Sequence, residues 1–298
     1  MSAASIALLP DRGVVGVKGE DACKLLQGVV TNDMDLLATA PALHTGLLSP
    51  QGKILFDFFV YRVPDGFLLE TARAAAPDLA RRLSMYKLRA KATIEDVSSD
   101  FTVAVLWGGA FAASSDRPGP LVAPDPRHPE LGLRLLLSLS SDWVLAESGA
   151  TPAPQDEYHA HRIALGVPEA GRDFVLGDTF PHEALYDQLN GLSFSKGCYV
   201  GQEVVSRMEH RGTARKRIVP VVGDAALPAR GTEIRAGEVA IGTLGSTAGT
   251  RGLALVRLDR AAEMRRKGVP LTAHGAPIEV VLPAWARFSL EPDHTEAR

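Results

Sequence analysis

Cysteine is nearly absent from this 298-residue chain, which carries it only at positions 23 and 198. Two cysteines outside any CxxC pair cannot build a disulfide framework. A cluster held by four thiolates also needs more sulfur than the chain provides, so its remaining ligands would have to come from another molecule. The sequence therefore excludes a conventional iron–sulfur protein and predicts no intrinsic metal site.

Long apolar runs and an excess of positive charge are also absent. No stretch approaches the ~20 apolar residues that span a bilayer. Residues 1–10 carry no basic residue, which argues against a secretory signal or a transit peptide. The formal net charge of −3 argues against a general nucleic-acid binder. We expect a protein of the bacterial cytosol, or of the mitochondrial matrix if the source is eukaryotic, with no membrane partner.

Several catalytic motifs are missing. The chain has no GxSxG nucleophile elbow, no Walker loop and no glycine-rich dinucleotide fingerprint. Its histidines do not follow a metal-ligand spacing, and His159 and His161 are two residues apart, which suits opposite faces of a helix. These absences remove the serine hydrolases, the P-loop NTPases and the doubly wound dinucleotide-binding enzymes.

The order of apolar patterns predicts an α+β protein followed by a small β-barrel. Strand patterns alternate with helical ones up to residue 212, and short β runs separated by glycine-rich turns follow. Residues 108–129 are rich in proline, glycine and serine and are predicted to form a loop. The predicted strands are 14–17, 54–63, 67–70, 93–97, 101–107, 132–139, 218–222, 238–244, 253–258 and 278–282. The predicted helices are 22–30, 77–87, 155–165 and 181–189, and Ser141-Asp142 is a further candidate helix start.

The densest run of reactive and flexible residues is Lys196 to Glu203, KGCYVGQE. Cys198 lies beside Gly197 and close to Lys196, whose cation favours the thiolate, the reactive form of cysteine. Glycine at 197 and 201 permits backbone angles that other residues resist. The alternative is that Cys198 is a small buried hydrophobe, a common fate of unpaired cysteine.

This octapeptide resembles the signature of the YgfZ family of folate-binding proteins, whose lineage includes mitochondrial iron–sulfur cluster assembly factors. The family is related in fold to the T-protein, the aminomethyltransferase of the glycine cleavage system. The likeness spans nearly the whole chain. It continues through residues 19–33, 48–57, 162–169, 180–183, 204–212 and 241–255.

The resemblance implies an aminomethyltransferase-like fold. In that fold two interleaved ferredoxin-like α+β units and a β-barrel surround a central channel where folate binds. We place the two interleaved units in residues 1–212, as the folate-binding region, and the C-terminal barrel domain in residues 213–298. The interleaving comes from the resemblance alone.

The same resemblance implies a folate-binding accessory factor for the assembly or repair of proteins with four-iron clusters. Cys198 would be the working thiol, either as a transient iron–sulfur ligand or in thiol exchange, and Lys196 would assist it. The expected partners are iron–sulfur client or scaffold proteins. The expected cofactor is tetrahydrofolate or a derivative, with a transient iron–sulfur cluster as a further possibility.

Candidate folate contacts follow from the chemistry of a reduced pterin, whose donor edge needs carboxylate acceptors. By resemblance, Asp57 and Glu183 are the candidates. Arg211, in a basic stretch over residues 207–217, is a candidate for the carboxylate tail of folate. Gln202 and Glu203 are assigned to the same site as hydrogen-bonding residues that orient the loop.

Two other functions remain open. One is a folate-dependent one-carbon transferase; against it, Phe56 occupies a position where the aminomethyltransferases carry a carboxylate. The other is a tRNA-modification cofactor that binds RNA through the basic stretch, which the acidic overall charge disfavours. The sequence favours an accessory factor over a conventional turnover enzyme.

Overall fold

A computed structural model describes residues 4–109, 119–138, 143–210 and 214–290. The chain divides into two compact units. The first comprises residues 1–158 and 189–202, and the second comprises residues 159–188 and 203–298. Two five-stranded sheets and a closed six-stranded barrel account for the described strands.

The first sheet is antiparallel throughout and belongs to the first unit. Two helices cover it and bury Leu26, Leu79 and Leu83 in its core. The predicted strands of this sheet are confirmed, and the turn residues Pro64 to Gly66 join two of them as a hairpin. In spatial order its strands are Ala42–Leu48, Ile54–Val63, Gly66–Ala72, Arg12–Lys18 and Thr93–Asp96; its helices are Ala22–Gln27 and Ala76–Lys87.

The second sheet, in the same unit, begins before the first in sequence and is completed after it. This order is the interleaving that the resemblance implied. The prediction of a loop over residues 108–129 is wrong at the strand Leu121–Pro124. This strand pairs at the edge of the sheet, where proline is tolerated. In spatial order the strands are Thr151–Pro152, Ser5–Leu8, Phe101–Trp107, Leu133–Ser138 and Leu121–Pro124.

Short helices complete the first unit. The helix candidate at residues 141–142 falls outside the described residues, and the structure describes a helix over Trp143–Glu147. The predicted helix 155–165 is confirmed as Gln155–Ala164, which crosses from the first unit into the second. The 3₁₀ segments are Met34–Ala38, Arg73–Ala75, Ser98–Asp100 and Pro129–Leu131.

The barrel lies in the second unit and starts four residues after the predicted boundary at residue 212. Sequence reading found four of its strands. It missed Glu233–Ala236 and Leu271–Ala273 because they are short, and the helix Leu258–Arg266 because it has few large apolar residues. Val219, Ile234 and Val256 are among its buried core residues. In spatial order the strands are Lys216–Gly223, Arg251–Arg257, Val239–Ala248, Glu233–Ala236, Leu271–Ala273 and Ala276–Val280.

The predicted helix over residues 181–189 is wrong. The structure describes a series of turns there, with Leu185 at a φ of 64°. A left-handed residue interrupts helical hydrogen bonding. Side-chain contacts fix the segment instead: Arg217 donates to both carboxylate oxygens of Asp187, and Glu209 Oε2 lies 3.0 Å from His182 Nε2. These tertiary contacts outweigh the local preference for helix.

Buried charges join the two sheets of the first unit. Arg12, on the first sheet, and Arg134, on the second, both bind the carboxylate of Glu70. Arg134 also donates to Asp125, which forms a two-point ion pair with Arg127. All five side chains are less than one tenth exposed. The network therefore links the two sheets through buried ionic contacts.

The aromatic ring of Phe59 lies against the same network. The guanidinium carbons of Arg134, Arg127 and Arg12 are 4.3, 4.9 and 5.7 Å from its centroid. Burial alone would raise the pKa of Glu70, but Arg134 and Arg12 outweigh it and hold this pKa at about 2. We name the set Arg12, Glu70, Asp125, Arg127 and Arg134 the intersheet network.

The architecture confirms the predicted α+β fold with a C-terminal barrel. The compact units do not follow the predicted boundary at residue 212, because residues 159–188 and 203–210 group with the barrel. That boundary marks the start of the barrel in sequence. In the part of the chain that the structure describes, no helix has the length and apolar character needed to cross a membrane.

Candidate functional site

Cys198 is exposed, on a loop of the first unit. The alternative that it is a buried packing residue is therefore wrong. The loop contains no helix or strand between residues 191 and 201, so its shape depends on a few specific contacts. Exposure gives the sulfur access to another molecule, as both roles predicted for it require.

Lys196 ties this loop to the segment that follows the first helix. Its ammonium Nζ donates to the carbonyl oxygens of Gln27, Val30 and Asn32, at 2.8, 2.8 and 2.7 Å. Three carbonyls satisfy its three donors. Burial lowers the pKa of Lys196 to about 8. The carboxylates of Asp33 and Asp35 oppose this effect and raise the pKa, but burial outweighs them. Lys196 therefore holds the loop in place, whatever its effect on Cys198.

Tyr199 provides the apolar side of the same anchor. It is buried, its ring centroid is 5.3 Å from the Lys196 Nζ, and burial raises its pKa to about 12. The loop is thus held by a buried residue on each side of the exposed segment Gly197–Cys198. Rigid flanks with an exposed thiol between them suit a side chain that presents its sulfur to a partner.

The two motif glycines have different roles. Gly201 has a φ of 82°, and a Cβ built there would lie 2.6 Å from the carbonyl oxygen of Ser49. Gly201 therefore needs both its backbone angle and its missing side chain. Gly197 is outside the positive-φ region, and a Cβ there would meet no atom within 4 Å. Of the two glycines, Gly201 alone has a backbone angle that other residues resist.

We expect Gly201→Ala to lower the free energy of unfolding by about 2 kcal/mol or more, because it combines a strained φ with a backbone clash. Gly197→Ala is the matched control and should change it by less than about 0.5 kcal/mol. Urea unfolding followed by tryptophan fluorescence measures both. Equal effects of the two substitutions would contradict the close approach of residue 201 to Ser49.

Asp57 lies on the first sheet, buried, and its Oδ1 contacts His44 Nε2 at 2.9 Å. The other ring nitrogen of His44 lies 3.1 Å from the carbonyl oxygen of Leu189. Both ring nitrogens therefore face oxygen atoms, which fixes the orientation of the ring beside Asp57. Sequence reasoning missed this pair, because the register of adjacent strands brings residues 44 and 57 together.

Glu183 is in the second unit, where it lines a cavity of about 230 Å³. Its Oε2 accepts a hydrogen bond from the backbone N–H of Phe180, which fixes the carboxylate. Arg215, Lys216 and Arg257 line the same cavity. A carboxylate among cations can take up a ligand that carries both donor and acidic groups.

The remaining predicted contacts have these positions. Gln202 begins the helix Gln202–His210, and Glu203 pairs with Arg207 one turn later on its exposed face. Arg211 lies outside the described residues. Of the predicted set, the structure brings Lys196 and Cys198 together on one loop, and the folate assignments stay predictions.

Models of two known domain families match this chain. Residues 11–113 match the GCVT N-terminal domain, and residues 215–288 match the CAF17 C-terminal β-barrel domain. The second match covers nearly the whole barrel. The first covers the entire first sheet and the strand Phe101–Trp107 of the second.

Curated relatives share one name, iron–sulfur cluster assembly factor IBA57, mitochondrial. The human protein is 33% identical over 272 residues, which cover 83% of this chain and 76% of that protein. The mouse protein is 34% identical over 280 residues, covering 84% and 77%. A homolog from Mycosarcoma maydis is 38% identical over 233 residues, covering 72% and 56%. The chain thus spans about half the length of this fungal relative and of the one from Neurospora crassa.

Among solved structures, the glycine cleavage system aminomethyltransferase T from Bartonella henselae superposes with a TM-score of 0.76. The match covers 96% of this chain and 87% of that one at 16% identity, so it concerns the fold alone. The relatives carry the name IBA57, and the finer resemblance to YgfZ stays a prediction. The chain belongs to the IBA57 family of iron–sulfur cluster assembly factors and has the aminomethyltransferase-like fold.

Proposed function

We propose that this protein is a folate-binding accessory factor for the assembly or repair of iron–sulfur proteins with four-iron clusters, with Cys198 as its working thiol. One observation carries the proposal: the exposed thiol lies on a loop that Lys196 and Gly201 hold in a defined position. Membership of a family whose relatives are named for this assembly supplies the process.

The chemistry of a single exposed thiol limits what the protein does alone. Cys23 is half-buried and packs against the core of the first sheet, and burial raises its pKa. Cys198 is then the one exposed thiol, so any cluster bound through it takes its other thiolate ligands from a client or scaffold protein. Transient ligation and thiol exchange both fit this arrangement.

Folate is the proposed small-molecule ligand. Support comes from the fold, which is shared with an aminomethyltransferase, and from two fixed carboxylates, Asp57 and Glu183. Each carboxylate is oriented by a hydrogen bond inside its own unit. Oriented acceptors match the donor edge of a reduced pterin better than mobile surface carboxylates do.

We expect Asp57→Asn to weaken the binding of a stable reduced folate about tenfold to a hundredfold, because a charge-assisted hydrogen bond is lost. Titration of the full chain, followed by intrinsic fluorescence, measures the affinity. Glu95→Gln, on the exposed edge strand of the same sheet, is the matched control. If Asp57→Asn binds the folate with unchanged affinity, Asp57 is not a folate contact, and its role is its hydrogen bond with His44.

The cellular experiment compares the activity of a four-iron enzyme in cells with and without this protein, under oxidative stress. Loss of activity on deletion, restored by the wild-type chain, supports the proposed function. An enzyme that is unaffected by deletion would remove it and would bring one-carbon transfer forward. Release of formaldehyde or methylene-tetrahydrofolate from a methylamine or glycine-derived substrate would then be the assay.

A further inference from the structure

The second unit contains a cluster of metal-ligating side chains that the proposed function does not use. His182, Asp187 and Glu209 each offer one ligand atom, and these atoms lie within 4.8 Å of one another. His182 Nε2 and Glu209 Oε2 are 3.0 Å apart. One imidazole and two carboxylates at this spacing can bind one ion together.

The fold positions each of the three groups. His182 and Asp187 lie in the turns over residues 181–190, both well buried on their side chains, and Glu209 lies in the last turn of the helix Gln202–His210. The side chain of Glu209 is 44% exposed, so the cluster is reached from solvent on that side. A buried imidazole with an accessible carboxylate provides both a fixed ligand and an entry path.

Arg217 orients the third ligand. It donates to both oxygens of Asp187, at 2.8 and 2.9 Å, and to the carbonyl oxygen of His182. Each carboxylate oxygen has two lone-pair directions. Asp187 Oδ1 accepts one hydrogen bond and can still coordinate, and hydrogen-bonded carboxylates of this kind are usual behind metal sites.

We propose that His182 Nε2, Glu209 and Asp187 form a binding site for a first-row divalent cation such as Fe²⁺, Co²⁺ or Zn²⁺. Imidazole favours these metals over Mg²⁺ and Ca²⁺, which take oxygen ligands. The metal would take the place of the direct contact between His182 Nε2 and Glu209 Oε2. The two carboxylates and the guanidinium of Arg217 together carry a net charge of −1. We therefore expect a moderate affinity for the metal. Three protein ligands leave positions for water.

Cobalt(II) is the probe, because its visible absorption reports the ligand number. The protein is the full chain without a tag and with Cys198→Ser, so that no accessible thiol binds the metal. We expect a saturable one-to-one spectrum and a melting temperature that rises with added Zn²⁺. Glu209→Gln should weaken binding at least tenfold and abolish the rise in melting temperature. It keeps a hydrogen-bond acceptor for His182 and lies at an exposed position, so it should fold.

The matched control is Glu263→Gln, on the helix Leu258–Arg266, where the glutamate also pairs with neighbouring cations. It should bind cobalt as the parent does. The proposal is overturned if the parent gives no saturable spectrum, or if Glu209→Gln binds as tightly as the parent and the ion therefore lies elsewhere. Because Cys198 is absent from every variant, the result is independent of the proposed function.

Discussion

Replacement of Cys198 by alanine should remove at least nine tenths of the four-iron enzyme activity that the wild-type chain restores to deleted cells. The substitution deletes the one exposed thiol and leaves the loop its other contacts, namely those of Lys196, Tyr199 and Gly201. The side chain is exposed, so the free energy of unfolding should change by less than about 0.5 kcal/mol. Activity and stability are measured on the same variant, and only activity should fall.

Cys23→Ala is the matched control, since it removes the other cysteine of the chain. It lies in the helix Ala22–Gln27 and packs against the core of the first sheet. We expect it to cost about 1 kcal/mol of stability and to restore enzyme activity as the wild type does. Cys198→Ser adds a second test, because serine retains size and polarity without forming a thiolate.

Equal rescue by Cys198→Ala and the wild-type chain would separate the process from the residue. Iron–sulfur assembly would remain the proposed function, and Cys198 would be a passive loop residue. The opposite separation is also observable: an insoluble Cys198→Ala protein would indicate a structural role that its exposure does not predict. Urea unfolding of the purified variant distinguishes this outcome from a chemical one.

Local patterns predicted the fold where apolar β runs and turn residues agree. The strands Ile54–Val63 and Gly66–Ala72, with their turn, follow from such agreement. The prediction of a helix at residues 181–189 was wrong because side-chain contacts with residues distant in sequence stabilise a series of turns there. The helix prediction used Pro181 at the start of the segment and Gly191 beyond its end. Both are local signals, and they carry no information about Glu209 or Arg217.

The candidate site divides in the same way. Cys198 stood out in the sequence because reactive and flexible residues surround it, and its exposure agrees. The position of Lys196 was not predictable, because its three acceptors are backbone carbonyls that are more than 160 residues away in the chain. From the sequence we expected the Lys196 ammonium to favour the Cys198 thiolate. In the structure that ammonium donates its hydrogen bonds to the three carbonyls instead.

The intersheet network leads to the second large effect. Glu70→Gln keeps the shape of the side chain but leaves Arg12, Arg134 and Arg127 with Asp125 as the one carboxylate of the network. Breaking a buried ion pair by removing one partner costs about 3–5 kcal/mol, because the remaining charges stay buried. We expect a loss of that size in urea unfolding. Glu95→Gln, exposed on the edge of the same sheet, should cost less than about 0.5 kcal/mol.

The dependence on pH gives the sharper form of this prediction. The pKa of Glu70 is held at about 2 in the folded chain, below the value of 4.5 for a free glutamate. Its ionisation therefore contributes about 3 kcal/mol that is fully present above pH 4.5 and is lost as the pH falls through 2. Glu70→Gln lacks this group, so the stability difference between wild type and variant should shrink by about that amount between pH 7 and pH 2. A difference that stays constant over this range would show that the carboxylate is not held ionised by Arg12 and Arg134.

Replacement of both Glu70 and Arg134, by glutamine and methionine, should cost less than the two single substitutions together, because it removes a matched pair of charges.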